Sequence, residues 1–218
     1  MMKKCSAKVL KIGTLSLLTF LFTLSANAQD KPFRLGLHFS PNFGWFKTDA
    51  ENLENDGAVI NYSYGLVTEF NFGSGGNYAF VSGFSVFNQS GAFKSGNNNI
   101  KQRLQYLELP AVMKLKSNEV GYFTYFGKFG VSNKFNIAAE REFNPNGGEI
   151  LTKTNKSDVQ FYSASLVVGL GAEYNLSGNT SFVGGIDFHN GFTNLYTNKS
   201  EIGKIRPINM TLSLGVMF

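Results

Sequence analysis

The sequence predicts an all-β chain folded as an eight-stranded antiparallel up-and-down transmembrane barrel, and three observations carry that prediction. The last ten residues alternate, with Met210, Leu212, Leu214, Val216 and Phe218 on one face of a strand and Asn209, Thr211, Ser213 and Gly215 on the other. Seven further segments alternate in the same way between clusters of Gly, Asn, Ser and Asp. Their connections are alternately short and long, an asymmetry with no use in a soluble barrel but expected where the two ends of a barrel face different compartments.

The amino terminus reads as a removed secretory signal over residues 1–28. Lys3, Lys4, Lys8 and Lys11 form a basic start, Ile12 to Leu24 is apolar and uncharged, and Ala26-Asn27-Ala28 presents small residues for cleavage. The apolar run falls short of the roughly 20 residues that span a bilayer as a helix. Cys5 precedes this run, the wrong order for lipidation. The chain after residue 28 contains no cysteine, which excludes disulfides and thiol catalysis there. The same 28 residues hold four lysines and no acid, so the formal charge of +5 falls to +1 in the remainder and gives no reason to expect nucleic acid as a partner. The remaining residues, 29–218, form the barrel domain.

The eight strands are expected at Phe33 to Phe46, Val59 to Phe72, Asn77 to Asn88, Ile100 to Lys116, Val120 to Ile137, Val159 to Leu176, Thr180 to Phe192 and Lys204 to Phe218. Each reaches or exceeds the roughly 9 to 11 residues that a tilted membrane strand needs. Tight turns are expected at Gly73 to Gly76, Ser117 to Glu119 and Ser177 to Asn179. Long polar loops are expected at Lys47 to Ala58, Gln89 to Asn99, Ala138 to Asp158 and Thr193 to Gly203.

Facing follows from parity. In the first strand Phe33, Leu35, Leu37 and Phe39 point to lipid, and Arg34, Gly36, His38 and Ser40 point inward. In the second, Tyr62, Tyr64, Leu66, Phe70 and Phe72 point out, with Ser63, Gly65, Glu69 and Asn71 inward. In the sixth, Tyr162 to Leu176 supplies an outward row of Tyr, Ala, Leu and Val against inward Ser163, Ser165, Gly169, Gly171, Glu173 and Asn175. Apolar outside and polar inside inverts a lipocalin, whose cavity is apolar. This is the architecture of the small OmpA/OmpX-like outer-membrane barrels. Tyr62, Phe72, Tyr174, Phe192 and Phe218 lie near strand ends, where aromatic girdles form.

The fourth strand carries Tyr106-Leu107-Glu108-Leu109-Pro110, with Leu107, Leu109, Ala111, Met113 and Leu115 outward and Tyr106, Glu108, Pro110 and Lys114 inward. In this Tyr-Leu-Glu-Leu-Pro segment the chain resembles the PorT-like outer-membrane β-barrel family, the outer membrane protein beta-barrel domain of Bacteroidetes-type bacteria. The resemblance implies a Gram-negative outer-membrane location and an envelope role that, for PorT itself, is part of type IX secretion. With the short turns inside, the termini are expected to be periplasmic. Expected partners are outer-membrane lipid and lipopolysaccharide, the barrel-assembly machinery acting on the strand that ends in Phe218, and envelope or secretion proteins.

Pro110 removes a ladder donor, so a bulge or local break is expected beside it. Inward charges must be paired. The candidate lumenal polar network is Arg34, Glu69, Glu108, Lys114, Lys128, Glu173, Asp187 and His189, with Arg34, Lys114 and Lys128 as partners for Glu108. Its expected role is structural, in an interior filled by side chains with no open pore. A catalytic reading would rest on His38, His189 and Asp187, the last two residues apart on one face of the seventh strand near the outer rim. No nucleophile, metal-ligand spacing, phosphate loop or nucleotide fingerprint joins them, so no catalytic residue, cofactor or metal is expected. The rivals to a structural or secretion-associated barrel are a surface adhesion or ligand-binding barrel working through its long loops, and a lipid-modifying barrel enzyme.

Overall fold

In a computed structural model, residues 32–48, 54–95, 98–145, 151–154, 157–177, 180–197 and 204–218 are described. The expected signal segment, residues 1–28, lies outside them. Among the described residues nine strands occur: β1 (Phe33–Thr48), β2 (Glu54–Phe72), β3 (Tyr78–Ser95), β4 (Asn98–Lys116), β5 (Phe123–Pro145), β6 (Leu151–Thr154), β7 (Tyr162–Ser177), β8 (Thr180–Gly191) and β9 (Ile205–Met217). Eight of them close a barrel in the order β4-β3-β2-β1-β9-β8-β7-β5, completed by pairing of β5 with β4, and every pairing is antiparallel. The short β6 pairs only with Glu140 to Phe143 of β5.

Closure follows from the terminal strands. β1 and β9 run from Gly36↔Met217 to Thr48↔Ile205, and Phe218 extends the seam by exchanging backbone hydrogen bonds with Leu35 at 2.7 and 3.3 Å. No open edge is left among the eight staves, the condition for a sheet to cross a bilayer. Leu35, Leu37, Phe39, Leu66, Phe84, Leu170, Ile186 and Leu214 are all exposed on the outside, in a continuous apolar belt that water would not tolerate. The five expected girdle aromatics, Tyr62, Phe72, Tyr174, Phe192 and Phe218, are exposed in that belt.

At the end away from the termini β1 to β5 are longer than their alternation suggested, and in β2 and β5 the reason is bulging. Between Gln105↔Ala138 and Tyr106↔Asn136, β5 inserts Ile137 as an extra residue. Below it the even residues Ser132, Lys134 and Asn136 are buried; above it the parity flips and Ala139 is buried. The expected end of the strand at Ile137 is therefore a bulge, and the expected loop from Ala138 contains eight more residues of β5 together with β6. Two register shifts in β2, between Asn55 and Ala58 and between Ala58 and Ser63, hide its first turn of alternation in the same way. The expected loop from Gln89 to Asn99 is likewise largely strand, in β3 and β4.

Pro110 does not produce a bulge. β3 pairs with β4 up to Val81↔Val112 and again from Ser85↔Glu108 in an unchanged register, with no paired rung between, while Pro110 stays opposite Ser132 of β5. Proline brings no N–H, and the ladder is interrupted on one side without inserting a residue. Gly83 sits in the interrupted stretch at φ 152°, where a Cβ would meet the Leu66 carbonyl oxygen at 2.2 Å.

The far end of the barrel is closed by an apolar core of Phe46, Phe87, Phe93, Leu104, Tyr106, Ala139, Val159, Leu195, Tyr196 and Ile205. Phe46 stacks on Phe93 with centroids 5.1 Å apart. A Cβ on Gly91 would lie 2.1 Å from the Phe46 ring, so glycine makes room for that stack. Val159 and Tyr196 form an isolated bridge, and Leu195 donates its backbone N–H to Ile205 O at 2.9 Å. Phe93, Ala139, Leu195 and Tyr196 of this core come from connections expected to be polar loops, and Val159, expected to open the sixth strand, lies ahead of β7.

Candidate functional site

The lumen divides into three levels, and the sequence-predicted polar residues are shared among them. Nearest the termini, strand parity aims Arg34 of β1, Glu69 of β2, Lys114 and Lys116 of β4 and Glu173 of β7 at one point. Lys114 Nζ donates to both Glu69 and Glu173. Arg34 Nη1 reaches Glu173 at 2.6 Å and Glu69 at 3.4 Å, and its Nη2 donates to Ser181. Lys116 Nζ lies 2.8 Å from Glu69 and 2.9 Å from Asn71. Three cations and two carboxylates from four strands thus lock this end, and Lys114 also stands over the Phe126 ring at 4.2 Å. The two carboxylates are about 2 % exposed, and burial there is tolerable only because every oxygen meets a cation.

At mid-height Lys128 of β5 pairs with Asp187 of β8 at 2.8 Å, and Ser213 of β9 donates to the same carboxylate oxygen. His38 of β1 bridges Ser40 at 3.2 Å and Ser85 at 2.7 Å. Here the lumen is not filled: a cavity of about 130 Å³ is lined by His38, Ser85, Val112, Phe126, Asp187, His189 and Thr211, among others. The expectation of a wholly side-chain-filled interior is corrected at this level. Small inward residues (Ser40, Ser63, Ser85, Thr211) occupy less than the cross-section of an eight-stranded barrel, whereas large ones fill both ends.

The third level lies beneath the apolar core. Glu108 accepts from Ser132 and faces Lys134 at 4.0 Å, and Lys134 lies over the Phe87 ring at 3.7 Å. The partners expected for Glu108 are corrected. Arg34 and Lys114 belong to the terminal lock and Lys128 to Asp187, because strand tilt separates residues that parity alone puts on one face. Lys134, Lys116 and Ser132 were missed by sequence reasoning. Parity with Lys128 and with Lys114 would have found the two lysines.

Tyr106 is buried in the apolar core while Glu108 and Pro110 face the lumen below it, with Leu107 and Leu109 on the outer wall. The segment that carries the family resemblance is therefore structural in position. Asp187 and His189 do share a face of β8, but the carboxylate is engaged by Lys128 and Ser213, not by the imidazole. His189 is buried in the lumen with its ring 5.7 Å from Phe87, not at the outer rim. Its Nδ1 has no hydrogen-bond partner among the described residues. No group of three or more His, Cys, Asp or Glu among the described residues is arranged to hold a metal.

Outside, the wall changes character toward the far end. The outward row of β4 runs from Leu115, Met113, Ala111, Leu109 and Leu107 to Gln105, Arg103 and Lys101, and that of β5 changes from Phe129 and Phe135 to Glu140 and Glu142. Arg103 pairs with Glu142 at 2.9 Å across the two strands, and Lys94 pairs with Asp56 across β3 and β2. Inside this rim Tyr196 donates to Gln102 at 3.1 Å. Burial raises its phenol above the ordinary tyrosine value, an effect that the Arg141 guanidinium opposes.

A closed antiparallel barrel of eight long strands with an apolar outer belt and a salt-bridged lumen defines an integral β-barrel membrane protein. The chain belongs to the outer membrane protein beta-barrel domain family, whose model matches residues 14–218. That membership puts it in the outer membrane. No curated protein matches the chain. Among solved structures, Neisserial surface protein A is similar at 12 % identity and TM-score 0.50, covering 86 % of this chain and 96 % of that one. OprG from Pseudomonas aeruginosa is similar at 15 % identity and TM-score 0.45, covering 85 % and 95 %. Ail of Yersinia pestis gives 14 % identity and TM-score 0.42 over 85 % and 97 %. At these identities the first of them supports the shared fold, and none transfers a role.

Proposed function

We propose that this protein is a plugged, non-catalytic barrel that serves as a structural and docking element of the envelope, with its far rim outside the cell and both termini in the periplasm. The observation that carries the reading is that side chains occupy the lumen at both ends, the Arg34–Lys114–Glu69–Glu173 lock at one and the Phe46–Phe93–Tyr196 core at the other, which favours a barrel without an open pore. The surface left to work is the rim, where β2 to β5 rise as paired strands past the apolar belt and carry Lys94, Lys101, Arg103, Glu140 and Glu142. Lipopolysaccharide would surround that rim, and the β9 row of Met210, Leu212, Leu214 and Phe218 suits engagement by the barrel-assembly machinery.

Two experiments test this. Refolded protein in planar bilayers is expected to pass no steady current, and a regular open conductance would overturn the plugged reading. In cells, shortening the connection between β5 and β6 (residues 146–150) is expected to abolish a surface interaction while protein export stays intact. The second reading, a secretion-associated role as in PorT, draws on the Tyr106–Pro110 segment, and a deletion strain with impaired export would put it first. An altered lipid A mass spectrum in that strain would instead support an enzyme.

A further inference from the structure

Two bulges meet at one height on the outer wall. The β2–β3 ladder has no paired rung between Ala58↔Gly91 and Ser63↔Phe87, where Val59 to Tyr62 of β2 face the shorter stretch Asn88 to Ser90 of β3. The extra residue of β5 lies between Gln105↔Ala138 and Tyr106↔Asn136, and Tyr106 is in turn the register partner of Phe87. Side-chain amides take up carbonyls that the broken ladder leaves free. Asn61 Nδ2 donates to Val59 O at 2.9 Å and Asn88 Nδ2 to Tyr62 O at 3.0 Å, while Gln105 Nε2 donates to Asn88 Oδ1 at 3.1 Å. Bulged strands bend, and here the wall is grooved: a recess of about 360 Å³ crosses β2 to β5, lined by Ile60, Tyr62, Asn88, Arg103, Gln105 and Glu140, with Lys101 toward the far end.

The polarity of this groove changes row by row. On its terminus side Tyr64, Val86, Leu107 and Phe135 are register partners in one outward apolar row. The next row toward the far end holds Tyr62 and the paired amides of Asn88 and Gln105. Beyond it stand Arg103 and its partner Glu140, then Lys101. Arg103 is engaged by Glu142 at 2.9 Å, whereas Lys101 and Glu140 have no ion-pair partner among the described residues. We propose that the groove seats the headgroup of a phosphorylated glycolipid of the outer leaflet. Its phosphate lies on Lys101, its sugar on Asn88, Gln105 and Glu140, and its acyl chains along the row from Tyr64 to Phe135. The sequence of rows decides the class. A phosphate takes the cation that has no internal partner. Glu140 accepts from hydroxyls and repels a second anion, and the two amides both donate and accept. A phospholipid without sugar would leave the amide row and Glu140 unused, and a free saccharide would leave the apolar row uncovered. The inference rests on the reading that the far rim is outside the cell, and it gives the lipopolysaccharide around that rim a defined seat.

The test is native mass spectrometry of the full refolded barrel released from bilayers of equal parts lipid A and phosphatidylglycerol. Wild type should retain lipid A in preference. Lys101→Gln should cut that preference about tenfold, the worth of one charge-assisted hydrogen bond, and Gln105→Leu should cut it by a smaller factor. Lys47→Gln, which removes an exposed rim lysine of β1 outside the groove, should leave it unchanged. All three side chains lie on the outer wall, and the folded gel band reports that each variant has closed. Equal retention of the two lipids, an unchanged preference in Lys101→Gln, or an equal loss in Lys47→Gln would each overturn the proposal. Protease cleavage of the 146–150 connection on whole cells reads orientation separately. Cleavage without a lipid A preference overturns the site alone, and a preference without cleavage overturns the orientation and with it the outer-leaflet assignment.

Discussion

Glu69 and Glu173 stand on opposite walls of the barrel, four strands apart by either route, and share a single ammonium, Lys114. The three side chains form a brace across the lumen. An eight-stranded barrel is narrow enough for long side chains to meet at its axis, and the brace ties together strands that share no backbone hydrogen bond.

Replacing Lys114 by Met removes the central cation and leaves two buried carboxylates to Arg34 and Lys116. Loss of one partner of a buried ion network costs about 3 to 5 kcal/mol, so the temperature at which the folded gel band converts to the unfolded one should fall. Adding Glu173→Gln to Lys114→Met should recover part of the loss. An unchanged conversion temperature in the single variant would show that the brace contributes nothing.

Glu108→Ala should also lower the unfolding temperature of the refolded barrel, because Lys134, 2 % exposed, is then buried opposite no anion. The double variant Glu108→Ala with Lys134→Met should melt above the single one, since an apolar pair is often as stable as the ion pair it replaces. Thermal melts of the three proteins decide it, and an unaltered melt in Glu108→Ala counts against the pairing.

Gly83→Ala should reduce the folded yield. Its backbone lies at φ 152°, and the added methyl would stand 2.2 Å from the Leu66 carbonyl oxygen on β2, an atom held by the sheet. The cost of such overpacking is about 1 to 3 kcal/mol. Gly127, whose Cβ would approach no atom closer than 4.0 Å, provides the control substitution.

Phe46→Ala removes a ring from the far-end core and should cost about 3 to 5 kcal/mol, as for other buried Phe. Protease resistance of the far-end connections should fall with it, because Leu195, Tyr196 and Val159 lose the surface they pack on. Equal cleavage rates in wild type and variant would mean that this core does not hold the connections down.

Alkaline pH should loosen the same end. Tyr196 is protonated more tightly in the folded than in the unfolded chain. Its contribution to stability is complete below the unfolded value near about 10 and is lost as pH rises through the higher folded value. The difference in melting temperature between wild type and Tyr196→Phe should therefore narrow or reverse from pH 8 to pH 11. A constant difference would mean that the phenol is not buried.

Much of this molecule is legible without coordinates where one rule holds along a whole strand. Phe33 to Ser40 keeps perfect parity, and Tyr62 to Phe72 and Met210 to Phe218 depart from it only at Val67, Thr68 and Met217, so their lipid and lumen faces read directly from the sequence. Reading failed where one extra residue breaks parity. Ile137 looked like the end of β5, and the irregular start of β2 before Val59 looked like a loop. It failed again for Leu195 and Tyr196, apolar residues in a segment rich in Asn, Lys and Ser, because nothing local says that such a connection turns back over the barrel mouth.

By itself, then, the sequence determined the eight staves of the barrel, their antiparallel order, the apolar outer belt and most of the inward charges, since each depends on period-2 alternation and turn chemistry within a few residues. Only the tertiary structure decided which inward charges meet. Strand tilt sets the height of every side chain: it divided one apparent network into the Lys114 brace, the Lys128–Asp187 pair and the Lys134–Glu108 pair, and left between the two filled ends a chamber that no stretch of sequence encodes alone.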